Sequence, residues 1–478
     1  MLIAPVWGPI SAGFMRATVP QAYATRMAAV ADPFTSTMPE PKPGLAEDTL
    51  FACDDSVSFW AGFQRDDPLP ALENLQKSLQ IASRYASQPD AAAYWAAHAA
   101  RTAYFLANAG AGLAAFELTS SFGGASSEGG KQRSPKAVVA LGAEFIDAAH
   151  FTKLLLEVGL IYEQDWKHIK AGDYKAPWDM TLGHRQTSPL YALRQAQLVV
   201  AETVDITGRR SRKATPGVWL DAPQLYPRYY LNDFHYQTDG WFSSRSANVY
   251  ETSTETLFLG SQDAMQRPTL LPLKGLTGRD SAPLRILDLA CGTGRFATFV
   301  RDNFPAADVT CVDLSPFYLE KARENDDYWR RHQARGQFGG GAVTEMPKAA
   351  QFVQANAEAL PFAAGSFDAV VCVDLFHELP AVARAKAAAE MARVVAPGGV
   401  VSFTDSIQSI DWQRCVTGSN DVDFFASLNE PHYADYDTED LGILFAANGL
   451  QFGNKYISSN RKTLSFTKPV GGGGVRVV

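Results

Sequence analysis

The sequence is poor in cysteine, has no excess of positive charge and contains no long apolar run. Only five cysteines occur among 478 residues, and no two of them form a CxxC pair. They are Cys53, Cys291, Cys311, Cys372 and Cys415. An odd, scattered set of this kind excludes a disulfide framework and a cysteine zinc site, and reduced thiols predict an intracellular or organellar protein.

The charge and hydropathy of the chain argue against two further classes of protein, those that bind nucleic acid and those that span a membrane. The formal net charge is −8 at pH 7, which disfavours a protein that binds nucleic acid through its phosphates. No stretch reaches the about 18 consecutive apolar residues of a membrane-spanning helix, so no transmembrane segment is predicted. Hydrophobic residues make up 46% and charged residues 20% of the chain. This composition is typical of a globular protein with about two or three domains.

Composition and periodicity divide the chain into five segments. Residues 1–70 are predicted as an N-terminal arm and linker. Within it, residues 1–31 contain Arg16 and Arg26 but no acid, which is typical of an organellar transit segment, and a loosely docked arm is the alternative. The remaining predicted segments are a helical cap or interaction domain at 71–230, a lid segment at 231–283, an α/β domain at 284–470 and a flexible tail at 471–478.

Apolar residues at three- and four-residue spacing dominate the N-terminal half. This periodicity predicts helices over residues 71–118, 136–159 and 189–207, and a glycine- and serine-rich loop over 120–135. No repeat of solenoid length occurs in the sequence. The helical half is therefore expected to form a cap, a surface for a protein partner or the contact of a homodimer.

Short apolar runs alternate with helical segments after residue 283. Strands are predicted at 284–289, 308–312, 352–355, 367–374 and 399–404, followed by an antiparallel pair at 451–457 and 462–467. Such alternation requires right-handed crossovers and gives a mostly parallel sheet with helices on both faces. The predicted fold class is α/β: a doubly wound, mostly parallel, seven-stranded Rossmann-like sheet with a helical N-terminal domain.

A glycine turn follows the first of these strands. The strand carries Asp288 near its end, and Gly292 and Gly294 then open a helix. The glycines let a ligand approach the backbone closely, and the helix N-terminus offers unpaired N–H groups. Asp313 ends the next strand, where a doubly wound fold places an acid that binds ribose hydroxyls. A ligand that contains ribose is expected here.

Other interpretations of this turn stay open. The letters GTGRFA also fit the pattern G-x-G-x-x-A of a nicotinamide oxidoreductase. An unliganded tight turn uses the same residues, and Asp313 is also a suitable helix N-cap. Asp288 argues against a dinucleotide, because a carboxylate close to the turn is poorly placed beside a pyrophosphate and well placed beside a cation.

Four motifs in order carry a family resemblance. They are DLACGTG at the first strand, ANAEALPF after the third, SFDAVVCVDLFHEL at the fourth and ARVVAPGGVV at the fifth. They resemble the motifs of class I S-adenosylmethionine (SAM) methyltransferases, specifically the small-molecule type that includes ubiquinone and menaquinone C-methyltransferases. The resemblance covers residues 284–468, and residues 227–265 look like the lid region of plastid and cyanobacterial-type members. It implies SAM as the cofactor and a plastid location, with the cytoplasm as the alternative.

The resemblance implies a role for each residue of these motifs. Asp288 would lie near the amino group of SAM, and Asp313 would bind the ribose hydroxyls. The floor under the methionine part would consist of Gly292, Thr293 and Gly294. The other implied cofactor contacts are Ala290 and Leu314, then Asn356 and Ala357 beside the adenine, and Asp374 and Leu375 at the methionine end.

The acceptor side of the reaction is less constrained by the motifs. A general base is needed only if the acceptor must lose a proton; His377 and His235 are the candidate catalytic residues, and a structural role is the alternative. Position 381 is alanine, so the His-Glu pair is not an HExxH zinc motif, and no metal is predicted. The candidate acceptor-binding residues are Tyr230, Trp241, Tyr250, His432 and Tyr433, with interdomain core or surface loop as the alternative.

The predicted activity is the transfer of a methyl group from SAM to oxygen or carbon of a small, apolar or aromatic acceptor by in-line displacement. Nucleic acid is not an expected substrate, because neither DPPY nor NPPY follows the fourth strand. A non-catalytic scaffold or assembly protein with the same fold is one alternative, and a nicotinamide oxidoreductase is the other.

Overall fold

The structure is a computed structural model that describes most of the chain. The described residues are 50–63, 70–85, 87–122, 148–181, 183–212, 226–276, 283–335, 345–411 and 429–470. The predictions for residues 1–31, 123–135 and 471–478, and for Cys415, lie outside them.

A mixed sheet forms the centre of the C-terminal half, and the described residues contribute eight strands to it. The strands are β1 (Ala52–Cys53), β2 (Arg285–Leu289), β3 (Asp308–Asp313), β4 (Gln351–Gln354), β5 (Phe367–Val373), β6 (Val395–Ser406), β7 (Gln451–Ser458) and β8 (Arg461–Thr467). Their order is β1-β7-β8-β6-β5-β2-β3-β4. All neighbours are parallel except β8, which is antiparallel to β6 and β7. The predicted doubly wound, mostly parallel α/β fold is confirmed.

Helices surround this sheet and fill the N-terminal half. They are α1 (Asp55–Ala61), α2 (Ala71–Tyr85), α3 (Pro89–Phe122), α4 (Ala148–Ala171), α5 (Pro189–Arg212), α6 (Ser244–Leu257), α7 (Gln262–Gln266), α8 (Arg295–Asn303), α9 (Pro316–Arg335), α10 (Ala381–Val394), α11 (Tyr433–Thr438) and α12 (Leu441–Ala446). Short 3-10 helices occur at Trp178–Met180, Arg185–Thr187, Arg228–Tyr230, Phe234–Tyr236, Arg267–Leu276 and Phe376–Glu378. In the described part of the chain, none of the helices is long and apolar enough to cross a membrane.

The strand count corrects the prediction of seven, since β1 is an additional strand. It lies in the segment predicted as an irregular linker and pairs with the edge strand β7, with Ala52 opposite Asn454. Phe51 packs on Phe452 with ring centroids 5.1 Å apart, and the Trp60 indole donates a hydrogen bond of 2.8 Å to Gln164. The proline and acid content of the segment indicates a linker, but its buried aromatic residues dock it onto the sheet and α4.

Two helices in the N-terminal half differ from the prediction. The helix predicted over 71–118 is two helices, α2 and α3, and α3 begins at Pro89. Proline lacks a backbone N–H, so it suits the first turn of a helix and interrupts a longer one. Helix α4 does not end at Gly159 but continues to Ala171, because Ile161 and Trp166 remain buried and keep its apolar face against the core.

The core of the sheet lies in its central strands. Leu287, Val370 and Val401, on β2, β5 and β6, are all 0% exposed. Helices cover both faces of parallel strands, which explains why these strands read as continuous apolar runs. The chain reverses its direction of winding between β2 and β5, and open α/β sheets bind ligands at the carboxyl ends of the strands at such a point.

Buried ion pairs join the helical half to the sheet domain. Arg101 of α3 lies 2.8 Å from Asp263 of α7 and 2.7 Å from Glu255 of α6. Arg295, the first residue of α8, pairs with the same Asp263 and, at 2.5 Å, with Asp179. Removing one member of such a buried set leaves an uncompensated charge, which costs about 3–5 kcal/mol. These contacts therefore fix the helical half against the glycine turn.

Gly294 is the residue that allows α8 to approach α9. Its φ is 71°, and a Cβ at this position would lie 2.8 Å from the Cβ of Ala322. Both the left-handed backbone and the close approach require glycine.

We predict that Gly294→Ala destabilises the protein by about 1–3 kcal/mol, because the side chain adds strain at this φ and collides with α9. Chemical denaturation followed by circular dichroism measures the change. Gly110→Ala in α3 is the matched control, since nothing lies within 4 Å of its Cβ position; it should be neutral or stabilising. Equal stability of Gly294→Ala and the wild type would contradict the prediction.

Candidate active site

The turn after β2 faces an open cleft at the carboxyl ends of the strands. A Cβ built on Gly292, whose φ is 55°, meets no heavy atom within 4 Å. Ala290 at the end of β2 and Asp374 at the end of β5 also have positive φ, 57° and 53°. Such conformations are costly for residues other than glycine, and they concentrate at functional sites. The two strand ends that flank the switch point are therefore the strained part of this edge.

Two adjoining cavities occupy this edge, with about 830 Å³ and 550 Å³ of empty space. The larger cavity is lined by the predicted cofactor residues Ala290, Gly292, Asp313, Leu314, Asn356, Ala357, Asp374 and Leu375. The smaller is lined by Asp288 and Thr293 and shares Tyr250, Ala290, Gly292, Val373 and Asp374 with the larger.

Gly294 is the one predicted cofactor residue that lines neither cavity. Its Cα faces Ala322 of α9, as described above, so its structural task is close packing behind the turn. The structure brings the other predicted cofactor residues together around the two cavities.

Asp313 is held beside the turn by backbone donors. Its Oδ2 accepts a hydrogen bond of 2.8 Å from the N–H of Gly292, and its Oδ1 accepts one of 2.8 Å from the N–H of Ser315. Burial raises the pKa of Asp313 to about 6. Each carboxylate oxygen can accept a further hydrogen bond, so the oriented group can also receive the two hydroxyls of a ribose.

Asp288 is a buried carboxyl group without a complete set of partners. It is 2% exposed, and among the described residues its Oδ2 has no hydrogen-bond partner. Burial and the nearby negative charge of Asp313 raise the pKa of Asp288 to about 8. A buried carboxylate is costly unless a cation or several donors compensate it. Its position therefore suits a ligand that brings a positive charge into the smaller cavity.

Asn356 shapes the loop after β4 rather than offering a free amide. Its Oδ1 accepts a hydrogen bond of 2.9 Å from the N–H of Glu358, and its Nδ2 lies 3.3 Å from the Glu358 carboxylate. The same carboxylate accepts a hydrogen bond of 2.7 Å from the Tyr229 hydroxyl. The loop thus ties the lid segment to the rim of the larger cavity.

Aromatic residues of the lid segment close the larger cavity. Tyr230, Trp241 and Tyr250, predicted to bind the acceptor, line it together with Tyr318 of α9. The ring of Tyr318 lies 5.3 Å from Trp241 and 5.4 Å from Tyr250, both in edge-to-face geometry. The Ser315 hydroxyl donates a hydrogen bond of 2.5 Å to the carbonyl of Trp241. Tyr230, Trp241 and Tyr250 therefore line the same cavity as Asp313 and Asn356, and Tyr250 also lines the smaller one.

His432 and Tyr433 do not line either cavity. Tyr433 is 1% exposed and packs in α11 against the 3-10 helix after β5, with its ring 6.2 Å from that of His377. His432 is partly exposed, and burial lowers its pKa. The structure does not support a direct acceptor contact for these two residues, because α11 packs on the outer side of the 3-10 helix Phe376–Glu378.

The two predicted catalytic histidines, His377 and His235, also line neither cavity. His377 is 7% exposed, and its Nδ1 lies 2.5 Å from Oδ1 of Asp405. Burial alone would lower the pKa of His377, but the charge of Asp405 outweighs it and raises the pKa to about 10. His377 then carries a proton at neutral pH and cannot accept another, which favours an orienting role.

His235 has φ 57°, and its Nδ1 lies 3.0 Å from Oε1 of Glu430. The base role of either histidine stays a prediction.

Several residues of the site were not predicted. Glu378, next to His377, lines the larger cavity, and Glu255 of α6 and Gln262 and Gln266 of α7 line the smaller one. The only feature of the sequence that could have indicated these cavity-lining residues is a run of polar residues in the lid segment. Their approach to β2 depends on tertiary packing that periodicity does not reveal.

One group among the described residues has the spacing of a metal site. Ligand atoms of Asp374, His377 and Asp405 lie within 4.8 Å of one another. Asp374 is paired with Arg461 at 2.8 Å, and Asp405 accepts backbone N–H groups besides His377. The guanidinium of Arg461 and the existing hydrogen bonds of the Asp405 oxygens favour an ion-pair network over a bound cation. We therefore assign no metal to this group.

Comparisons with known proteins agree with this geometry. Residues 286–399 match the family model described as a methyltransferase domain. A demethylmenaquinone methyltransferase of Thermus thermophilus is 39% identical over 120 residues, which is 25% of this chain and 46% of the relative. A malonyl-[acyl-carrier protein] O-methyltransferase of Geobacter sulfurreducens is 36% identical over 121 residues, 25% of this chain and 38% of the relative.

Solved structures show a weaker likeness. A TehB-like SAM-dependent methyltransferase from Corynebacterium glutamicum aligns with 47% of this chain and 100% of its own, at 16% identity and a TM-score of 0.31.

The matched region contains the glycine turn, Asp313 and the wall after β5. The chain spans less than half the length of the two curated relatives, 46% and 38%. The ordered motifs and the mostly parallel sheet agree with this match: residues 286–399 of the chain are similar to a methyltransferase domain.

Proposed function

We propose that this protein transfers the methyl group of SAM to a small molecule. The observation that carries the proposal is the pair of carboxyl groups at the turn, Asp288 with its unpartnered oxygen in the smaller cavity and Asp313 fixed beside the larger. Asp288 would hold the ammonium of the methionine part, and Asp313 the ribose hydroxyls. The cavities meet at Ala290 and Gly292, where the backbone is open enough for the link between those two parts.

The residues of the chain would contribute to catalysis by positioning the two reactants and by excluding water from the cleft. SAM supplies a methyl group that is already activated by its sulfonium charge. Alignment of two reactants can contribute about 7–11 kcal/mol to catalysis. Trp241, Tyr250 and Tyr318 cover the cleft, and such a cover strengthens the electrostatic contacts inside it.

An apolar or aromatic acceptor would share the larger cavity with the ribose and adenine of SAM. Five aromatic side chains between residues 229 and 250 line it: Tyr229, Tyr230, Phe234, Trp241 and Tyr250. Apolar walls with a few polar groups are typical of small-molecule sites. One relative is named a demethylmenaquinone methyltransferase and another an O-methyltransferase of malonyl-[acyl-carrier protein], and the proposal covers transfer to oxygen and to carbon. The plastid location and the homodimer stay predictions.

Binding of SAM is tested with two aspartates of the same strand. Asp313→Ala should raise the Kd for SAM about 10-fold or more, because hydrogen bonds to a charged group contribute about 1.5–3 kcal/mol. Asp308→Ala, at the opposite end of β3, is the matched control, since Asp308 pairs with Lys348 outside the cleft. Isothermal titration calorimetry with SAM and with NAD⁺ measures both. Tight binding of NAD⁺ and none of SAM would favour the oxidoreductase instead.

Asp288 should lower the stability of the cofactor-free protein. Its pKa in the folded state, about 8, is above the ordinary value of 3.8, so the folded state loses stability as the pH rises between these values. Asp288→Asn should therefore raise the melting temperature by more at pH 8 than at pH 5, while it weakens SAM binding.

Asp368→Asn is the control for this variant. The ion pair with Arg285 lowers the pKa of Asp368, so the folded state prefers its ionised form, and its replacement should lower stability at neutral pH. Differential scanning calorimetry compares the variants. If the melting temperature of Asp288→Asn at pH 8 is no higher than that of the wild type, the ionised Asp288 carboxyl does not destabilise the cofactor-free protein, and the prediction is wrong.

Methyl transfer itself is tested with methyl-labelled SAM and soluble plus lipid extracts of the source. Mass spectrometry should find label in a small, weakly polar product, and Asp313→Ala should reduce it while Asp308→Ala does not. Binding of SAM without any labelled metabolite, together with a stably co-purifying protein, would favour the scaffold alternative.

A further inference from the structure

The carboxyl group of Glu378 lines the larger cavity and has no role in the proposed function so far. It ends the 3-10 helix Phe376–Glu378 directly after β5. Glu378 lines the larger cavity together with Leu375, Leu379 and Asp374, and Asp374 is one of the residues that also line the smaller cavity. Its side chain is 15% exposed, so it is withdrawn from bulk water but accessible from the cleft.

A row of three side chains leads from the interior to this carboxyl. Asp405 on β6 accepts hydrogen bonds of 2.7 Å from the N–H groups of Phe376 and Ser406. Its other contact is the 2.5 Å bond to Nδ1 of His377, and Nε2 of His377 lies 3.8 Å from Oε1 of Glu378. Of the row Asp405, His377 and Glu378, only Glu378 reaches the cavity wall.

The charges around Glu378 make it a stronger base than an ordinary carboxylate. Burial raises the pKa of Glu378 to about 8; the His377 cation opposes this effect, and the negative charges of Glu430, Asp405 and Asp374 add to it. Tyr250 of α6 faces the same carboxyl, and its own pKa is raised. Arg461 is paired with Asp374, so its guanidinium is not directed at Glu378.

We propose that Glu378 is the general base that takes a proton from a weakly acidic hydroxyl of the acceptor, such as a phenol, and that His377 positions it. The proposal rests on the proposed function and names its acceptor class. In the step, the acceptor O–H bond breaks and its proton goes to the Glu378 carboxylate. An electron pair of the oxygen forms the new O–CH3 bond while the CH3–S bond breaks. The electrons of the broken CH3–S bond stay on sulfur, which becomes a neutral thioether. The aromatic lining of Tyr230, Trp241 and Tyr250 suits a phenolic ring.

The first experiment needs no acceptor. S-adenosylhomocysteine (SAH) and SAM carry the same ammonium and carboxylate, but only SAM has the sulfonium charge. Proton release at Asp288 is therefore common to both ligands, whereas a carboxyl near the reacting centre responds to SAM alone. Calorimetry at pH 7.5 in two buffers with different ionisation enthalpies counts the released protons. Wild-type protein should release more protons with SAM than with SAH, and Glu378→Gln should abolish that difference.

Two further variants define the result. Glu324→Gln, an exposed glutamate of α9 whose side chain is 60% exposed, should retain the difference between SAM and SAH. His377→Asn should move the pH of maximal difference upward, because loss of the imidazolium removes the charge that opposes protonation of Glu378. An unchanged optimum in His377→Asn would overturn the positioning role.

The base role is then tested with the acceptor found in the labelling experiment. The wild-type kcat should rise with pH to a midpoint near 8, and Glu378→Gln should lower kcat about 100-fold or more and lose this limb. Full turnover by Glu378→Gln, or equal proton release by SAM and SAH in the wild type, would overturn the inference. Neither result would affect the proposed function, which fails only if SAM does not bind or no methyl group is transferred.

Discussion

The constraint on which this site depends is a carboxyl group buried beside a glycine turn without a compensating cation. Asp288 has an unpartnered oxygen in the described structure, and the negative Asp313 lies close enough to raise its pKa. An apolar residue at position 288 would pack more cheaply in the cofactor-free protein. The arrangement makes sense if the ligand brings the missing positive charge, because its ammonium then relieves a cost that the folded protein carries alone.

The surrounding elements hold this turn in one geometry. Gly294 lets α8 approach α9 behind it, Asp313 binds the N–H of Gly292 in front of it, and Arg295 anchors the start of α8 to Asp263 and Asp179. Asp263 also receives Arg101 from the helical half. The helical half is thus part of the support of the methionine-side cavity and not only a cover over it.

The sequence was sufficient for the elements whose signal is local. The strands near residues 285, 308, 367 and 400 are apolar runs between turn residues, and the motif residues around Gly292 and Asp313 converge as parallel strands require. Contacts distant in sequence were not predictable. The Asp405 partner of His377 lies 28 residues away, and it turns a candidate base into a buried cation. Strand β1 has only two residues, which is too short for any periodicity.

Strand β1 also has a consequence for the edge of the sheet. It runs beside β7, and Asp54 donates a backbone hydrogen bond of 2.9 Å to the carbonyl of Lys455. Without this short segment, the outer backbone groups of β7 would be open to pair with another polypeptide, which is a common cause of aggregation. A fragment that begins at β2 would therefore lack both its lid and the strand that covers the outer edge of β7, and poor solubility of that fragment would say nothing about its chemistry.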